Sequence, residues 1–261
     1  MAVIGTVLAI TLGVFFLSVP LMAGVLAKLV PKSVEQKVGD QMMDELAKGE
    51  KFCRGEAGLA ALDRLVDKLA ATTDGDYTFE VYVANGDVLN AFAAPGGHVI
   101  IYRSIIEEAE APEEVAGVLA HEMAHVTEGH PRRGMVQGLG YGIFRLITPG
   151  DDNIGAELVQ SAYASRYSRD DELEADSTGV GMLNRAGIDS RGLPAFFDRL
   201  EAKGDQMPGA LEFLSTHPTG ENRKAGLKDL TREGEPAMSA EDWTALKSAC
   251  EETGEPIAVG S

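Results

Sequence analysis

The sequence has few cysteines and little positive charge. Its 261 residues include two cysteines, Cys53 and Cys250, and no CxxC pair, so the cysteines are not predicted to bind a metal. A disulfide between them would require an oxidising compartment, and the sequence does not decide this. The 23 lysines and arginines stand against 41 aspartates and glutamates, a net charge of -18. Phosphate backbones and anionic lipid headgroups repel such a chain, which argues against nucleic-acid binding.

Charged side chains are also absent from residues 2–27. About 20 apolar residues are enough to cross a bilayer, so we expect a membrane segment here. A cleaved signal peptide would carry basic residues before a shorter apolar core, which favours an uncleaved anchor. We predict a transmembrane anchor over 1–30, one folded domain over 31–250 and a flexible tail over 251–261.

The most informative motif is His121-Glu122-Met123-Ala124-His125. Helix signals surround it, with Pro112 suited to a first helical turn and Gly129 suited to a stop. Residues four apart lie on one face of a helix, so both imidazoles can bind one metal ion. Glu122 can hold and deprotonate a water molecule whose pKa zinc lowers to about 7. The alternative interpretation is a pair of surface histidines on an amphipathic helix.

A third protein ligand must come from elsewhere in the chain. A metzincin would have its third histidine ten residues after the first. That position is Pro131, which also suits a helix stop, and His130 lies one residue early. We therefore expect a carboxylate as the third ligand.

The acidic segment after Ser168 can supply this carboxylate, because its capping-box pattern predicts the start of a helix. On that helix Glu172, Asp176 and Gly179 share a face. We select Glu172 as the ligand, because Asp176 can then orient a histidine from one turn away and Gly179 lets two helices approach. Glu174 points elsewhere. The alternative interpretation of these acids is a solvated helix start.

The pattern of the remaining chain indicates a small sheet. Apolar residues alternate over 79–83, and Asn85-Gly86-Asp87 predicts a hairpin turn towards strands over 88–92 and 98–102. The glycine-rich segment 134–147 is too short for a second membrane span. We interpret it as a packed helical hairpin, with a flap over a cleft as the alternative.

Five motifs follow one another along residues 31–231. They are Pro31-Lys32-Ser33-Val34-Glu35, Asn90-Ala91-Phe92-Ala93-Ala94-Pro95-Gly96-Gly97, the HExxH with His130, Ser168-Arg169 with Glu172-Leu173-Glu174-Ala175-Asp176, and Ser215-Thr216-His217-Pro218 with Arg223. In this order they resemble the forty-eighth metallopeptidase family, to which the HtpX, CAAX prenyl, Oma-type and BepA-type proteases belong. The resemblance implies an α+β, mostly helical, gluzincin-type zinc metallopeptidase domain over 31–250, with a small β-sheet bordering the cleft.

The resemblance also implies the residues of the site. One zinc ion per chain is expected on His121, His125 and Glu172, which agrees with the choice made from the helix face. His217 and Arg223 are expected near the metal. His217 would either stabilise the oxyanion or occupy the open zinc position in a resting enzyme.

A substrate site is expected along the stretch Asn90 to Gly97, which the resemblance places beside the cleft. An extended substrate can pair with the edge of a sheet, so Asn90, Ala91, Phe92 and Ala93 are the candidate substrate-binding residues. The alternative is an ordinary Gly-Pro turn between strands.

The expected activity is that of a membrane-anchored zinc metalloendopeptidase with Glu122 as general base. It would hydrolyse misfolded or membrane-associated proteins, as in protein quality control. One alternative is a latent protease that acts mainly as a chaperone or assembly factor for envelope proteins. A structural zinc protein is disfavoured, because three ligands and a base leave the ion an open position.

The sequence also bears on which side of the membrane the catalytic domain lies. Lys28, Lys32 and Lys37 follow the apolar segment, and the positive-inside rule alone would place the domain in the cytoplasm. The resemblance to single-anchor bacterial proteins implies instead a periplasmic catalytic domain on the inner membrane, and we expect this orientation.

Overall fold

The computed structural model describes residues 22–74, 77–146, 167–204, 209–217 and 221–260. After a helical segment over 22–27, the helices are α1 Lys32–Gly49, α2 Glu56–Ala70, α3 Arg103–Glu108, α4 Pro112–Thr127, α5 His130–Leu146, α6 Arg169–Arg185, α7 Gly192–Lys203, α8 Ala210–Thr216, α9 Glu221–Leu230 and α10 Ala240–Lys247. The strands are β1 Phe52–Cys53, β2 Glu80–Ala84, β3 Ala91–Ala93, β4 His98–Tyr102 and β5 Thr253–Gly254. The described chain is mostly helical with a small sheet, as the sequence predicts.

The five strands form one mixed sheet in the order β3-β4-β2-β1-β5. β2 runs parallel to β4, whereas β3 runs antiparallel to it. The hairpin predicted at Asn85-Gly86-Asp87 is therefore wrong, because β2 and β3 are not neighbours. β4 lies between them, and all five of its residues are buried, which suits a central strand. The tight turn is instead at Pro95–Gly97, where Gly96 and Gly97 have φ values of 84° and 100° that other residues rarely adopt.

Helix α4 is buried along almost its whole length. Every residue from Glu114 to Val126 is buried, and the helix packs against α6, α7 and the sheet. Pro112 lies in its first turn, and Gly129, with a φ of 71°, follows its end, as predicted. Pro131 does not stop a helix but lies in the first turn of α5. A short turn at Gly129 therefore separates the two helices just after His125.

Helix α6 begins with the predicted capping box. The Ser168 hydroxyl accepts a hydrogen bond from the Asp171 amide, and the Asp171 carboxylate accepts one from the Ser168 amide, each at 3.1 Å. These bonds satisfy amides that lack partners at a helix start. Glu172 consequently lies in the first turn, and Asp176 and Gly179 follow it on the buried side of the helix.

The predicted membrane anchor falls mostly on residues 1–21, which lie outside the described residues. Within the described ranges, none of the helices combines the length and the apolar character that a bilayer crossing requires. The glycine-rich segment 134–147 is helical as far as Leu146, and the chain from 147 to 166 is again outside the described residues.

The end of the chain pairs with the sheet. Thr253–Gly254 pair with β1, and Val259 bridges to Val81 in β2. Cys250 forms a disulfide with Cys53 in β1, which answers the question that the sequence leaves open. The structure thus differs from the flexible tail predicted over 251–261. A strand of two residues is too short to show an alternating pattern, so the sequence could not indicate it.

Candidate metal centre

Two histidines of α4 point to one place on its inner side. The Nε2 atoms of His121 and His125 are 3.0 Å apart. Their side chains are buried, with 1% and 0% exposure. The spacing of just over one helical turn therefore brings two nitrogen ligands together, as the motif predicts.

Glu172 brings a carboxylate from α6 to the same place. Its Oε2 lies 3.5 Å from His121 Nε2, and its Oε1 lies 3.5 Å from His125 Nε2. Ligand atoms about 2.1 Å from a tetrahedral ion lie about 3.4 Å from one another, so the three side chains fit around one ion. Two imidazoles and one carboxylate are also a known ligand set of catalytic zinc sites.

Gly179 permits the two ligand helices to lie this close. A Cβ atom at this position would stand 2.9 Å from the carbonyl oxygen of Ala120 and 3.1 Å from the amide nitrogen of His121. Carbon atoms pack at about 3.5–4.0 Å, so any side chain here would push α6 away from α4. The predicted role of Gly179 in the approach of the helices is confirmed.

Asp176 and Arg223 lie directly behind the candidate ligands. Asp176 Oδ1 is 3.0 Å from His121 Nδ1, so the carboxylate fixes the ring from the side opposite the metal position. Arg223 donates to both oxygens of Asp176, at 2.5 and 2.8 Å, and its Nη1 lies 2.7 Å from Glu172 Oε2. The structure thus brings Asp176 and Arg223 into contact with the candidate ligands.

The candidate ligands have different protonation states in the metal-free protein. Burial disfavours the charged form of His121, but hydrogen bonds to Asp176 and Glu172 outweigh it and raise its pKa to about 9 in the metal-free protein. Burial lowers the pKa of His125 well below its usual value. Burial alone would raise the pKa of Glu172, but His217 and the hydrogen bonds to His121 and His125 hold it far below the usual range. Glu172 is thus an anion, as a metal ligand must be.

Glu122 is fully buried beside these ligands. Burial raises its pKa, and nearby His217 and His121 offset this only in part. The groups nearest its carboxylate are the Nε2 atom of His217, 3.5 Å from Oε1, and the amide of Ala93. A carboxylate in the protein interior is destabilising unless other groups compensate its charge.

His217 completes the cluster from the end of α8. Its Nδ1 is 3.4 Å from Glu172 Oε1, and its Nε2 is 3.5 Å from Glu122 Oε1. The side chain is 1% exposed. His217 could hold a metal ion together with His121, His125 and Glu172, so the predicted proximity of His217 to the site is present in the structure.

Strand β3 forms the wall of the site at the edge of the sheet. Its ladder with β4 uses the backbone of even-numbered residues, since the amide of Tyr102 donates to Asn90 O and the amide of Ala94 donates to His98 O. The backbone groups of Ala91 and Ala93 therefore point away from β4. His217 Nε2 lies 3.4 Å from Ala91 O, and the amide of Ala93 faces Glu122.

The side chains of the predicted substrate residues have contacts with the core and the local backbone. Asn90 accepts a hydrogen bond from the amide of Ala91 at 3.0 Å, and it is buried. Phe92 packs with one core cluster, whereas Ala91 and Ala93 pack with the other. The groups of this strand that face away from β4 include the backbone of Ala91 and Ala93.

The order of these residues along the chain agrees with a known family. The model of peptidase family M48 matches residues 59–231. The chain belongs to this family. The matched region covers more than half of the chain and contains every candidate ligand, and the family predicted from the motifs is confirmed. Membership implies a metallopeptidase with polypeptide substrates, and the buried cluster could hold its metal ion.

Several characterised relatives carry protease names. The chain is 31% identical over 150 residues to the mitochondrial metalloendopeptidase OMA1 of Arabidopsis thaliana, and this match covers 56% of this chain and 30% of the relative. It is 28% identical over 188 residues to the beta-barrel assembly-enhancing protease of Escherichia coli, covering 65% and 38%. It is 28% identical over 159 residues to the metalloprotease LoiP of Escherichia coli, covering 58% and 61%. The matches to OMA1 and to the assembly-enhancing protease thus span less than half the length of those relatives.

Sequence reasoning missed two side chains that contact His125. His130 Nδ1 lies 2.7 Å from His125 Nδ1, and the ring of Tyr167 stacks on His125 with centroids 3.9 Å apart and planes 17° apart. Burial raises the pKa of the Tyr167 hydroxyl, and Glu122 and Glu172 act in the same direction. His130 follows the turn at Gly129 and Tyr167 precedes the start of α6, so helical spacing could not reveal either contact.

Proposed function

We propose that the chain is a zinc-dependent endopeptidase in which His121, His125 and Glu172 hold one zinc ion and Glu122 is the general base. The observation that carries this proposal is the meeting of three candidate ligand side chains from two helices beside the fully buried carboxylate of Glu122. Structural zinc sites have no need of such a base. The arrangement is therefore the one expected of a hydrolytic site.

The reaction is derived from the positions of the protein groups. When bound, zinc lowers the pKa of a water molecule and polarises the carbonyl of the peptide bond. Glu122 accepts a proton from the attacking water, and burial raises its pKa, which makes it a stronger base. Glu122 then returns this proton to the leaving amine. Asp176 keeps His121 in the orientation that the ion requires.

His217 has one of two roles in this proposal. It stabilises the oxyanion, or it binds the ion in a resting enzyme and withdraws when substrate enters. Its distances of 3.4 Å to Glu172 and to the carbonyl oxygen of Ala91 favour the resting form, because His217 lies over the strand edge that substrate would use. His217→Ala should change the cleavage rate or zinc affinity, and a variant unchanged in both would remove both roles.

The substrate is proposed to add to the sheet beside β3. The outward backbone groups of Ala91 and Ala93 offer alternate hydrogen bonds to an extended peptide. A cleaved peptide should lose binding when alternate residues are N-methylated, since every second amide of a paired strand faces its neighbour. N-methylation of the intervening residues is the matched control, and equal loss at all positions would exclude pairing with this edge.

The protein is proposed to be anchored in the bacterial inner membrane by its N-terminal segment, with the catalytic domain in the periplasm. Five large apolar side chains are exposed near the start of the described chain: Met22, Val25, Leu26, Leu29 and Val34. The disulfide between Cys53 and Cys250 supports an oxidising compartment, because cytosolic thiols are kept reduced. Fusion of a periplasm-active reporter to the C-terminus should give activity, and activity of a cytoplasm-specific reporter would reverse the orientation.

The proposed clients are misfolded or membrane-associated proteins. The names of relatives, which refer to beta-barrel assembly and to a mitochondrial endopeptidase, are compatible with such clients. A latent protease that acts mainly as a chaperone or assembly factor for envelope proteins is the second candidate, because His217 closes the site in this structure.

One experiment separates these functions. Zinc content and cleavage of casein, an unfolded protein, are measured for the wild type and for Glu122→Gln. The proposal expects one zinc per chain in both proteins and cleavage by the wild type alone. Cleavage retained in Glu122→Gln would remove the general base, and zinc binding without wild-type cleavage would favour the chaperone.

A further inference from the structure

The ring nitrogen of His125 that faces away from the candidate metal contacts another histidine. His125 Nδ1 lies 2.7 Å from His130 Nδ1, and both rings are buried, with 0% and 3% exposure. On the other side of His130, Nε2 lies 3.2 Å from Glu174 Oε2 and 3.5 Å from Asp171 Oδ1. A continuous path therefore runs from the metal ligand to the carboxylates of α6.

The hydrogen atoms of this path are fixed by the role of His125 as a ligand. A neutral imidazole that offers its Nε2 lone pair to a cation carries its hydrogen on Nδ1. His125 Nδ1 is then the donor, and His130 Nδ1 must accept. A neutral His130 ring that accepts at Nδ1 carries its single hydrogen on Nε2. That hydrogen is directed to Glu174.

A second metal site is the competing interpretation, because His130, Asp171 and Glu174 could hold an ion by distance alone. His130 would then offer its Nε2 lone pair and carry its hydrogen on Nδ1. That hydrogen would face the hydrogen of His125 Nδ1 across 2.7 Å, and two donors repel at this distance. Asp171 is also already bound to Arg133 at 3.0 Å and to the start of α6.

We propose that His130 is a positioning residue that accepts the Nδ1 hydrogen of His125 and donates its own Nε2 hydrogen to Glu174. His130 thereby orients His125, as Asp176 orients His121. This inference rests on the proposed function, because the direction of both hydrogen bonds follows from metal binding at His125 Nε2. Loss of such supporting bonds typically weakens metal binding about 10- to 100-fold.

The tautomers of the two rings test this inference directly. In the zinc-loaded protein, proton–nitrogen correlation spectra of the imidazoles should show hydrogen on Nδ1 of His125 and on Nε2 of His130. A His130 ring with hydrogen on Nδ1, or with hydrogen on both nitrogens, would overturn the inference. This measurement requires no substitution and does not depend on catalytic activity.

Variants with matched controls test its effect on the metal. His130→Asn keeps an acceptor near the position of Nδ1 and should retain zinc affinity within about threefold. His130→Leu should weaken zinc binding about 10- to 100-fold, and Glu174→Ala should weaken it about 3- to 10-fold. Asp170→Asn, an exposed neighbour on the same turn of α6, is the control for lost charge. Chelator competition gives the affinities, and the absorption spectrum of the cobalt form should change in His130→Leu and Glu174→Ala but not in Asp170→Asn.

The outcomes separate this inference from the proposed function. If the wild type binds no zinc, both fail. If the wild type binds zinc, and folded His130→Leu and Glu174→Ala bind it equally tightly with unchanged cobalt spectra, His130 is not a positioning residue although the metal site stands. If His130→Leu does not fold, two measurements still test the inference. One is the zinc affinity of Glu174→Ala, whose side chain is exposed, and the other is the tautomer of each ring in the wild type.

Discussion

The carboxylate of Asp176 lies 3.0 Å from Nδ1 of His121, opposite the nitrogen that faces the ligand cluster. The same carboxylate accepts two hydrogen bonds from Arg223, so its position is fixed independently of the histidine. Arg223 lowers the pKa of Asp176 against the opposing effect of burial. Asp176 is therefore anionic and makes His121 a more basic ligand.

The first prediction concerns Asp176→Asn. The amide can still accept the His121 hydrogen but carries no charge, so zinc affinity should fall about 10- to 100-fold. Chelator competition measures the change, and the exposed Asp170→Asn is the control. Equal zinc affinity in the wild type and Asp176→Asn would mean that the contact with His121 does not support the ligand.

The second prediction concerns the stability of the metal-free protein at different pH values. His121 has a pKa of about 9 in the folded protein and about 6.5 in an unfolded chain. Because the folded value is the higher one, the stabilisation is complete below about pH 6.5 and is lost as the pH rises through about 9. The free energy of unfolding in urea should fall over this range, by up to about 3 kcal/mol.

Zinc provides the control for this pH dependence, because a bound ion excludes the proton from His121. The zinc-loaded protein should lose the decline between pH 6.5 and 9, and Asp176→Asn should reduce it in the metal-free protein. A metal-free wild type whose stability is constant or rises over this range would contradict the raised pKa.

The third prediction compares two glycines of α6. Gly179→Ala places a Cβ atom 2.9 Å from the backbone of Ala120, so it should separate the ligand helices, cost about 1–3 kcal/mol of stability and weaken zinc binding. Gly181→Ala is the matched control, because its nearest neighbour is the mobile end of Arg185 at 3.2 Å and alanine favours a helix by about 1 kcal/mol. Denaturant unfolding and zinc affinity are measured for both, and equal behaviour of the two variants would contradict the close approach at Gly179.

The fourth prediction concerns the disulfide between Cys53 and Cys250. It closes a loop of 197 residues, for which chain entropy gives a stabilisation of about 5 kcal/mol. Reduction should therefore lower the midpoint of guanidinium unfolding and release the C-terminal strand, while zinc affinity stays unchanged because the bond lies outside the ligand cluster. The double variant Cys53→Ser with Cys250→Ser should not respond to the reductant, and an unchanged midpoint for the wild type would show that the bond does not stabilise the fold.

The parts of the site that lie on single helices could be predicted from the sequence. Helical spacing places His121 and His125 together, and the capping box at Ser168 fixes the phase of α6, so that Glu172 and Asp176 share one face. These predictions work because a helix has one repeat, and a few end signals set its position.

The parts that depend on turns and on distant strand pairing could not be predicted. The contact of His130 with His125 depends on the turn at Gly129, and no periodic pattern continues through a turn. The strand order failed for a related reason, because Asn85-Gly86-Asp87 has the composition of a hairpin turn although β4, further along the chain, pairs between β2 and β3. Local composition does not encode which strands pair over a distance.

The central claim is that His121, His125 and Glu172 bind one zinc ion. The most direct test is the anomalous difference density of a zinc-loaded crystal, measured on both sides of the zinc absorption edge. A zinc ion bound by these residues should give a single strong peak per chain within about 2.0–2.2 Å of His121 Nε2, His125 Nε2 and a Glu172 oxygen. A peak on His130, Asp171 and Glu174 instead, or a Glu172 side chain turned away from the ion, would contradict it.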